Sequence, residues 1–300
     1  MKIKTSYSSS LCIMLVFAIT SCKAQKNDII KKDAKLTLLA EDYEFTEGPA
    51  VDKNGNVFFT DQPNNRILKW EANSNQISTY LEPSGRANGL YFDNDGNLIA
   101  CADNKNELWL IDANKKTTVL FDDFKGKKLN GPNDLWIDKK GGMYMTDPYY
   151  KRPYWTREQD TIPQRVYYIS PAKDKLEIIA DHYVQPNGII GTPDNKTLYV
   201  ADIGANKTYS YTINDDATLT DKKVFCNLGS DGMTIDNQGN VYLTGDGVTI
   251  FNSEGKQIEH IATGEDWTAN VTFGGPKQNL LFITAMDAIY AIEMNVHGVR

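Results

Sequence analysis

The feature that most constrains the fold is a phrase that the chain repeats six times. Each copy has a turn rich in Asp, Asn and Gly, followed by an alternating apolar strand that usually stops at Asp. The copies start near residues 52, 93, 138, 192, 236 and 275. A period of about 40 to 55 residues is typical of stacked blades and not of one continuous sheet. Six copies therefore predict six blades.

Each copy reads as four short strands. In the second copy, β-rich runs at residues 89–93, 97–102, 107–112 and 116–121 are separated by Asn, Asp, Gly or Lys turns. The last copy has only three runs, whereas a spare run lies ahead of the first copy at residues 35–40. Pairing the spare run with the last copy would close the ring and cover an open sheet edge. We predict an all-β, six-bladed β-propeller with four-stranded blades, closed by an N-terminal strand that completes the last blade.

The first residues have the composition of an export leader. Lys2 and Lys4 precede an apolar run at residues 11–20 that is too short to span a bilayer as a stable helix. The run ends in Ile19-Thr20-Ser21-Cys22, which is similar to a bacterial lipobox, so cleavage would leave Cys22 as an acylated N-terminus. We predict an exported bacterial lipoprotein at the periplasmic face or outer membrane, in contact with the membrane only through the lipid on Cys22.

The chain divides into three parts: a lipoprotein signal peptide at residues 1–21, a polar tether at 22–34 and one propeller domain at 35–300. One propeller uses nearly all of the 300 residues, and no break in composition marks a second domain. We expect a monomer. The exception to the regular spacing is an aromatic and charged insertion at residues 148–164, between the second and third strands of blade three. Long loops in compact folds are often functional.

Charge and cysteine content exclude some classes of partner and chemistry. The chain has a net charge of −7, and removal of the leader with its two lysines would make it more negative, which argues against nucleic acid and anionic lipid surfaces as partners. Cys101 and Cys226 fall in non-adjacent blades, so we predict two buried thiols and no disulfide.

Six polar residues occupy the same position in the six blades. The innermost strand of every blade begins at one face of the central channel, so residues just before it converge on the axis. These residues are Glu47, Asn88, Asn133, Asn187, Asp231 and Asn270. Asn-Gly and Asp-Gly dipeptides are also common in tight turns, which is the alternative interpretation. However, carboxylates and amides crowded around an axis would repel or lack partners without a cation. An all-oxygen set favours Ca²⁺, with Mg²⁺, Mn²⁺ or Zn²⁺ as alternatives.

The segments around these positions resemble those of the gluconolactonase, senescence marker protein (regucalcin) and luciferin-regenerating enzyme family. The resemblance extends over residues 36–292. The segments that carry it are Phe45-Thr-Glu47-Gly-Pro, Asn130-Gly-Pro-Asn133-Asp, Gln185-Pro-Asn187-Gly, Ser230-Asp231-Gly-Met and Asn270-Val-Thr-Phe-Gly-Gly275.

The resemblance implies roles for individual residues. Glu47, Asn187 and Asp231 match metal ligands of that family, Asn133 matches a position that touches metal or substrate, and Asp231 also matches the catalytic acid or base. We expect further substrate contacts from Asn88, Asn270 and Tyr149. The implied reaction is metal-assisted hydrolysis of a lactone, with a sugar lactone as the expected substrate. Either Asp231 or the ion alone would activate the attacking water.

Two other functions remain open at this stage. A related metal-dependent ester or organophosphate hydrolase would use the same ligands, because the pocket walls decide between lactones and phosphoesters. A non-catalytic propeller that serves as a binding scaffold is also possible, since fold does not fix function. The chain lacks Gly-x-Ser-x-Gly, His-Glu-x-x-His, Cys-x-x-Cys and a phosphate loop.

Overall fold

The computed structural model describes residue 1, residues 29–155 and residues 162–299. The predicted leader and the acylation site at Cys22 lie outside these ranges. No helix in the described ranges has the length and apolar composition that a membrane span requires.

The described residues form 26 β-strands and no α-helix. The strands are β1 (Thr37–Ala40), β2 (Thr46–Val51), β3 (Val57–Asp61), β4 (Arg66–Trp70), β5 (Ile77–Leu81), β6 (Ala87–Phe92), β7 (Leu98–Ala102), β8 (Glu107–Ile111), β9 (Thr117–Phe121), β10 (Asp123–Phe124), β11 (Lys127–Lys128), β12 (Leu135–Ile137), β13 (Met143–Asp147), β14 (Arg165–Ile169), β15 (Leu176–Ala180), β16 (Pro186–Gly191), β17 (Thr197–Asp202), β18 (Lys207–Ile213), β19 (Leu219–Cys226), β20 (Met233–Ile235), β21 (Val241–Gly245), β22 (Gly247–Phe251), β23 (Gln257–Ile261), β24 (Thr268–Gly274), β25 (Leu280–Ala285) and β26 (Ala288–Glu293).

These strands build six antiparallel sheets of four strands each and one small hairpin, β10–β11. Blades one to five are β2–β5, β6–β9, β12–β15, β16–β19 and β20–β23, each in sequential order. The sixth sheet has the order β1-β26-β25-β24. The prediction of an all-β propeller with six four-stranded blades is confirmed.

The N-terminal strand is the outer strand of the sixth sheet. Thr37 pairs with Ala291 and Leu38 with Tyr290, and the strand begins two residues later than the predicted run at 35–40. Further upstream, Ile29 is buried in the apolar cluster of the last two blades. Both ends of the propeller domain therefore meet in one blade.

The core lies between blades, because the second strand of each blade is buried on both faces. In β3, Val57 and Phe59 are fully buried. The ring of Phe59 lies 5.8 Å from that of Phe282 in blade six, and Phe282 lies 5.7 Å from Trp70 in blade one. This aromatic cluster packs the first blade against the last. The thiols of Cys101 and Cys226 are buried and free, as the sequence predicted.

The same side-chain hydrogen bonds hold the Asp-rich turn in four of the blades. In Asp52, Oδ1 accepts the backbone N–H of Asn54 at 2.8 Å and that of Asn56 at 2.9 Å, which fixes the turn between the first two strands. Equivalent pairs of bonds are made by Asp93, Asp138 and Asp236. These turns lie at the opposite end of the innermost strands from Glu47 and its counterparts.

Candidate metal and substrate site

A cavity of about 400 Å³ opens at the end of the channel where the innermost strands begin. All six blades contribute to its wall, which includes four of the predicted residues: Glu47, Asn88, Asn133 and Asp231. Asn187 is 1% exposed and reaches the cavity wall through its hydrogen bond to Asp231. The other end of the channel holds a cavity of about 660 Å³, and Asn270 lines that one.

The glycines that follow the site residues are needed for blade packing and do not mark turns. Gly48 has φ +46°, and a Cβ there would lie 2.0 Å from the carbonyl oxygen of Asn88 in the next blade. A Cβ on Gly89 would lie 2.4 Å from the carbonyl oxygen of Asn133. Because Asn88-Gly89 and Asn187-Gly188 lie within the innermost strands, interpreting these two dipeptides as tight turns is wrong. The absent side chains let adjacent blades approach closely and bring the polar residues together.

Aspartates at the ends of second strands hold the segments that carry site residues. Asp147 accepts the N–H of Asn130 at 3.0 Å and that of Gly131 at 2.8 Å, just ahead of Asn133. The same arrangement precedes the site residues of blades one and four, where the acceptors are Asp61 and Asp202. Charged acceptors make strong hydrogen bonds to backbone N–H groups, so these segments are rigid supports.

Glu47 lies deep in the site and is 2% exposed. Its Oε2 accepts the N–H of Gly48 at 2.5 Å and Nδ2 of Asn270 at 3.0 Å. Burial, and next the charge of Asp231, raise the pKa of Glu47 well above its usual range. The proximity of two carboxylates is unfavourable unless a proton or a cation neutralises them.

Asp231 has both carboxylate oxygens held by neighbours. Trp267 Nε1 donates to Oδ2 at 2.7 Å, and Asn187 Nδ2 donates to Oδ1 at 2.6 Å. Burial raises the pKa of Asp231 to about 6, although these two hydrogen bonds and the charge of Arg152 act in the opposite direction. Unlike Glu47, Asp231 is partly accessible, so it can reach a molecule in the cavity.

Several amide oxygens of the site lack partners. The buried Oδ1 atoms of Asn88 and Asn187 accept no hydrogen bond, and leaving such acceptors unpaired is costly. The side chain of Asn133 has no hydrogen bond to another described residue. Two carboxylates beside unpaired amide oxygens are a donor set that fits a hard divalent cation. No group of three or more His, Cys, Asp or Glu residues suited to a metal exists in the described ranges, so any site here depends on these amides.

Sequence reasoning missed four residues of this region. Tyr150, Arg152 and Trp267 line the smaller cavity, whereas the predicted substrate contact Tyr149 does not and instead packs 5.8 Å from Trp155. Asp134 lines the larger cavity, and burial raises its pKa to about 7. The aromatic and charged composition of the insertion was a signal for Tyr150 and Arg152. Asp134 directly follows Asn133, and Trp267 lies three positions before Asn270, but their residue types alone gave no signal.

Comparison with known proteins identifies a protein family whose sequence model matches most of the chain. Residues 45–287 match the family model described as SMP-30/Gluconolactonase/LRE-like region. A gluconolactonase from Zymomonas mobilis is 27% identical over 93% of this chain and 87% of its own length. Diisopropyl-fluorophosphatase from Loligo vulgaris is 24% identical over 87% of this chain and 93% of its own. The solved structure of a gluconolactonase from Xanthomonas campestris aligns with a TM-score of 0.83 and 27% identity, covering 89% of this chain and 91% of that one.

Proposed function

This chain belongs to the SMP-30/gluconolactonase/LRE-like family, and from that premise we propose that it is a hydrolase that opens the ring of a lactone with the help of one divalent cation. Sugar lactones are the proposed substrate class, because the relatives from Zymomonas mobilis and Xanthomonas campestris are gluconolactonases. The observation that carries the proposal is the cavity in which Glu47 and Asp231 meet amide oxygens without partners.

Glu47, Asn187 and Asp231 would hold the cation, with Asn133 as a fourth ligand or as a substrate contact. Ca²⁺ is the proposed ion because the donors are carboxylate and amide oxygens. When bound, the ion would stabilise the negative charge that develops on the carbonyl oxygen of the lactone. It would also remove the repulsion between the two buried carboxylates.

Asp231 is the proposed general base. A pKa of about 6 leaves this carboxylate mostly ionised at neutral pH and able to accept a proton from the attacking water. The N–H groups of Trp267 and Asn187 fix the orientation of the carboxylate. The proton taken by Asp231 is then available for the alkoxide that leaves when the ring opens.

Other cavity residues are suited to bind the substrate. The hydroxyl of Tyr150 accepts a hydrogen bond from Asn187 at 2.9 Å, and burial raises its pKa, so it stays protonated and can donate to a substrate oxygen. The unpaired Oδ1 of Asn88 can accept a hydrogen bond from a sugar hydroxyl.

An organophosphate hydrolase is the second candidate, because the relative from Loligo vulgaris is a diisopropyl-fluorophosphatase. A panel of sugar lactones and fluorophosphates, assayed with Ca²⁺ and with chelator, separates the two. We expect lactone opening that stops on chelation and is lost in Asp231→Asn. The matched control is Asp246→Asn, which makes the same change at an exposed position of the same blade. Turnover that survives chelation would contradict the proposed metal dependence, and no turnover of any substrate would favour a binding scaffold.

We further propose that the protein acts outside the cytoplasm as a monomer anchored by a lipid on Cys22. Support for export and for the lipid anchor comes from the leader sequence alone. Metabolic labelling with a fatty acid should modify the wild-type protein but not Cys22→Ser. Recovery of unlabelled, uncleaved wild-type protein from the cytoplasm would contradict the proposal.

A further inference from the structure

Three side chains of the insertion between β13 and β14 bond to one residue of blade two, Asp103. The described parts of the insertion are residues 148–155 and 162–164. Asp103 Oδ2 accepts Arg152 Nε at 2.8 Å and the hydroxyl of Tyr154 at 2.5 Å, and the backbone oxygen of Asp103 accepts Trp155 Nε1 at 2.9 Å. Residues 152–155 are therefore held in a defined position, beside the cavity that Arg152 lines.

Asp103 is the counterpart, in blade two, of the aspartates that hold site segments in the other blades. It directly follows the second strand, β7, and its side chain bonds to the insertion and to Gln62 of blade one, at 3.2 Å. Trp155 covers Gly131, where a Cβ would lie 3.3 Å from its ring. Asp103 and Trp155 thus hold the described part of the insertion against blades two and three.

Arg152 is held so that part of its guanidinium remains available. Its Nε bonds to Asp103, and its Cζ lies 5.2 Å from the centre of the Tyr150 ring. The terminal amino groups donate no hydrogen bond to another described residue, although guanidinium has five N–H donors. Arg152 lines the cavity, and its side chain is 24% exposed. The unused donors belong to a side chain whose orientation is already fixed.

The guanidinium of Arg152 differs in charge from the rest of the cavity lining. Arg152 is the only cationic side chain among the described residues that line it. A divalent cation would neutralise Glu47 and Asp231, whereas the donors of Arg152 would still lack an acceptor. Guanidinium binds carboxylate and phosphate groups in a bidentate manner.

We infer that Arg152 is a specificity-determining residue that binds an anionic substituent, a carboxylate or a phosphate, on the substrate. The inference rests on the proposed function, because it places that substituent on a lactone whose ring lies at Asp231. Tyr150 and Asp103 orient the guanidinium, so Tyr150 and Arg152 form the part of the cavity wall that selects the substrate.

The first test compares matched lactones: glucono-δ-lactone, which has a neutral terminal hydroxymethyl group, and the corresponding lactones with a phosphate or a carboxylate at that carbon. We expect kcat/KM of the wild type to be about tenfold or more higher for at least one anionic lactone. Arg152→Gln should remove this preference, and Arg152→Lys should keep part of it. Comparing the phosphate lactone with the carboxylate lactone identifies which anionic group Arg152 recognises. An equal kcat/KM for neutral and anionic lactones, or an unchanged ratio in Arg152→Gln, overturns the inference.

Arg86→Gln is the matched control. Arg86 packs 4.4 Å from the ring of Tyr154 and donates to the backbone oxygen of Pro63, so it contacts the insertion without lining the cavity. The substrate ratio should be unchanged in this variant. A loss of preference equal to that of Arg152→Gln would show that only the seating of the insertion matters, which overturns the inference.

A binding measurement separates the inference from the proposed activity. Calorimetry of the Ca²⁺-loaded protein with glucarate and with gluconate compares a dianion with a monoanion of the same length. Tighter binding of glucarate that depends on Arg152 supports the inference even if no lactone is opened. Equal binding of both acids by a protein that does open lactones overturns the inference and leaves the proposed function standing.

Discussion

The indole of Trp267 donates a 2.7 Å hydrogen bond to Oδ2 of Asp231, joining the segment before β24 to the candidate base in blade five. This bond lowers the pKa of Asp231 against the stronger effect of burial. Trp267 therefore sets the pH range in which the carboxylate can accept a proton.

Replacing Trp267 with Phe should shift the acid limb of the kcat/KM profile to higher pH. The phenyl ring keeps much of the apolar bulk but cannot donate, so the pKa of Asp231 rises and activity at low pH falls more than activity at high pH. The measurement is lactone hydrolysis across a pH series. Trp109→Phe is the control, because Trp109 donates to Glu107 away from the cavity. An unshifted profile in Trp267→Phe would show that Asp231 does not govern that limb.

Asp231→Asn should cost more activity than cation affinity. The amide keeps an oxygen for the ion but cannot accept a proton, and a general base is typically worth about 10² to 10⁴-fold in rate. Glu47→Gln should mainly weaken cation binding, so excess Ca²⁺ should partly restore its rate. Both variants are assayed across a Ca²⁺ titration. If saturating Ca²⁺ returned Asp231→Asn to near the wild-type rate, Asp231 would be a ligand only.

The cation-free protein should lose stability as the pH rises from about 4 to about 7. Folding raises the pKa values of Asp134, to about 7, and of Asp231, to about 6, from the usual 3.8, and raises that of Glu47. The folded state then binds more protons than the unfolded state in this interval, so the free energy of unfolding falls with increasing pH.

Added Ca²⁺ should reverse this trend, since it binds the ionised carboxylates of the folded state only. Melting temperatures measured with chelator and with Ca²⁺ should therefore diverge as the pH increases. Curves that remain parallel would argue that the cation does not bind at these carboxylates.

Removal of residues 1–41 should reduce solubility and stability, because it deletes β1 and exposes the edge of β26 in the sixth sheet. A chain that lacks only residues 1–28 keeps this strand and serves as the control. Denaturant melts and size-exclusion chromatography provide the comparison. A monomeric 42–300 protein as stable as the control would show that β1 is dispensable.

The sequence alone was sufficient to predict the features that recur in every blade. The spacing of the Asp-rich turns predicted six blades, and the shared position of Glu47, Asn133 and Asp231 predicted their convergence, because both follow from local periodicity. The insertion was located between the correct strands, but its lining residue was assigned to Tyr149, and Tyr150 lines the cavity instead. Tyr150 bonds to Asn187 of blade four, whereas Tyr149 packs on Trp155, and no local pattern contains these contacts.

The hydrogen bond between Asn270 and Glu47 crosses 223 positions of sequence and joins the last blade to the first. Besides the N–H of its neighbour Gly48, Glu47 thus obtains its side-chain partner only after the final blade has packed against the start of the domain. A chain that has not yet made blade six would carry Glu47 without the Asn270 amide that bonds to its Oε2. Closure of the ring therefore completes the hydrogen bonding of Glu47, so the proposed cation site would take its final geometry only in the last step of folding.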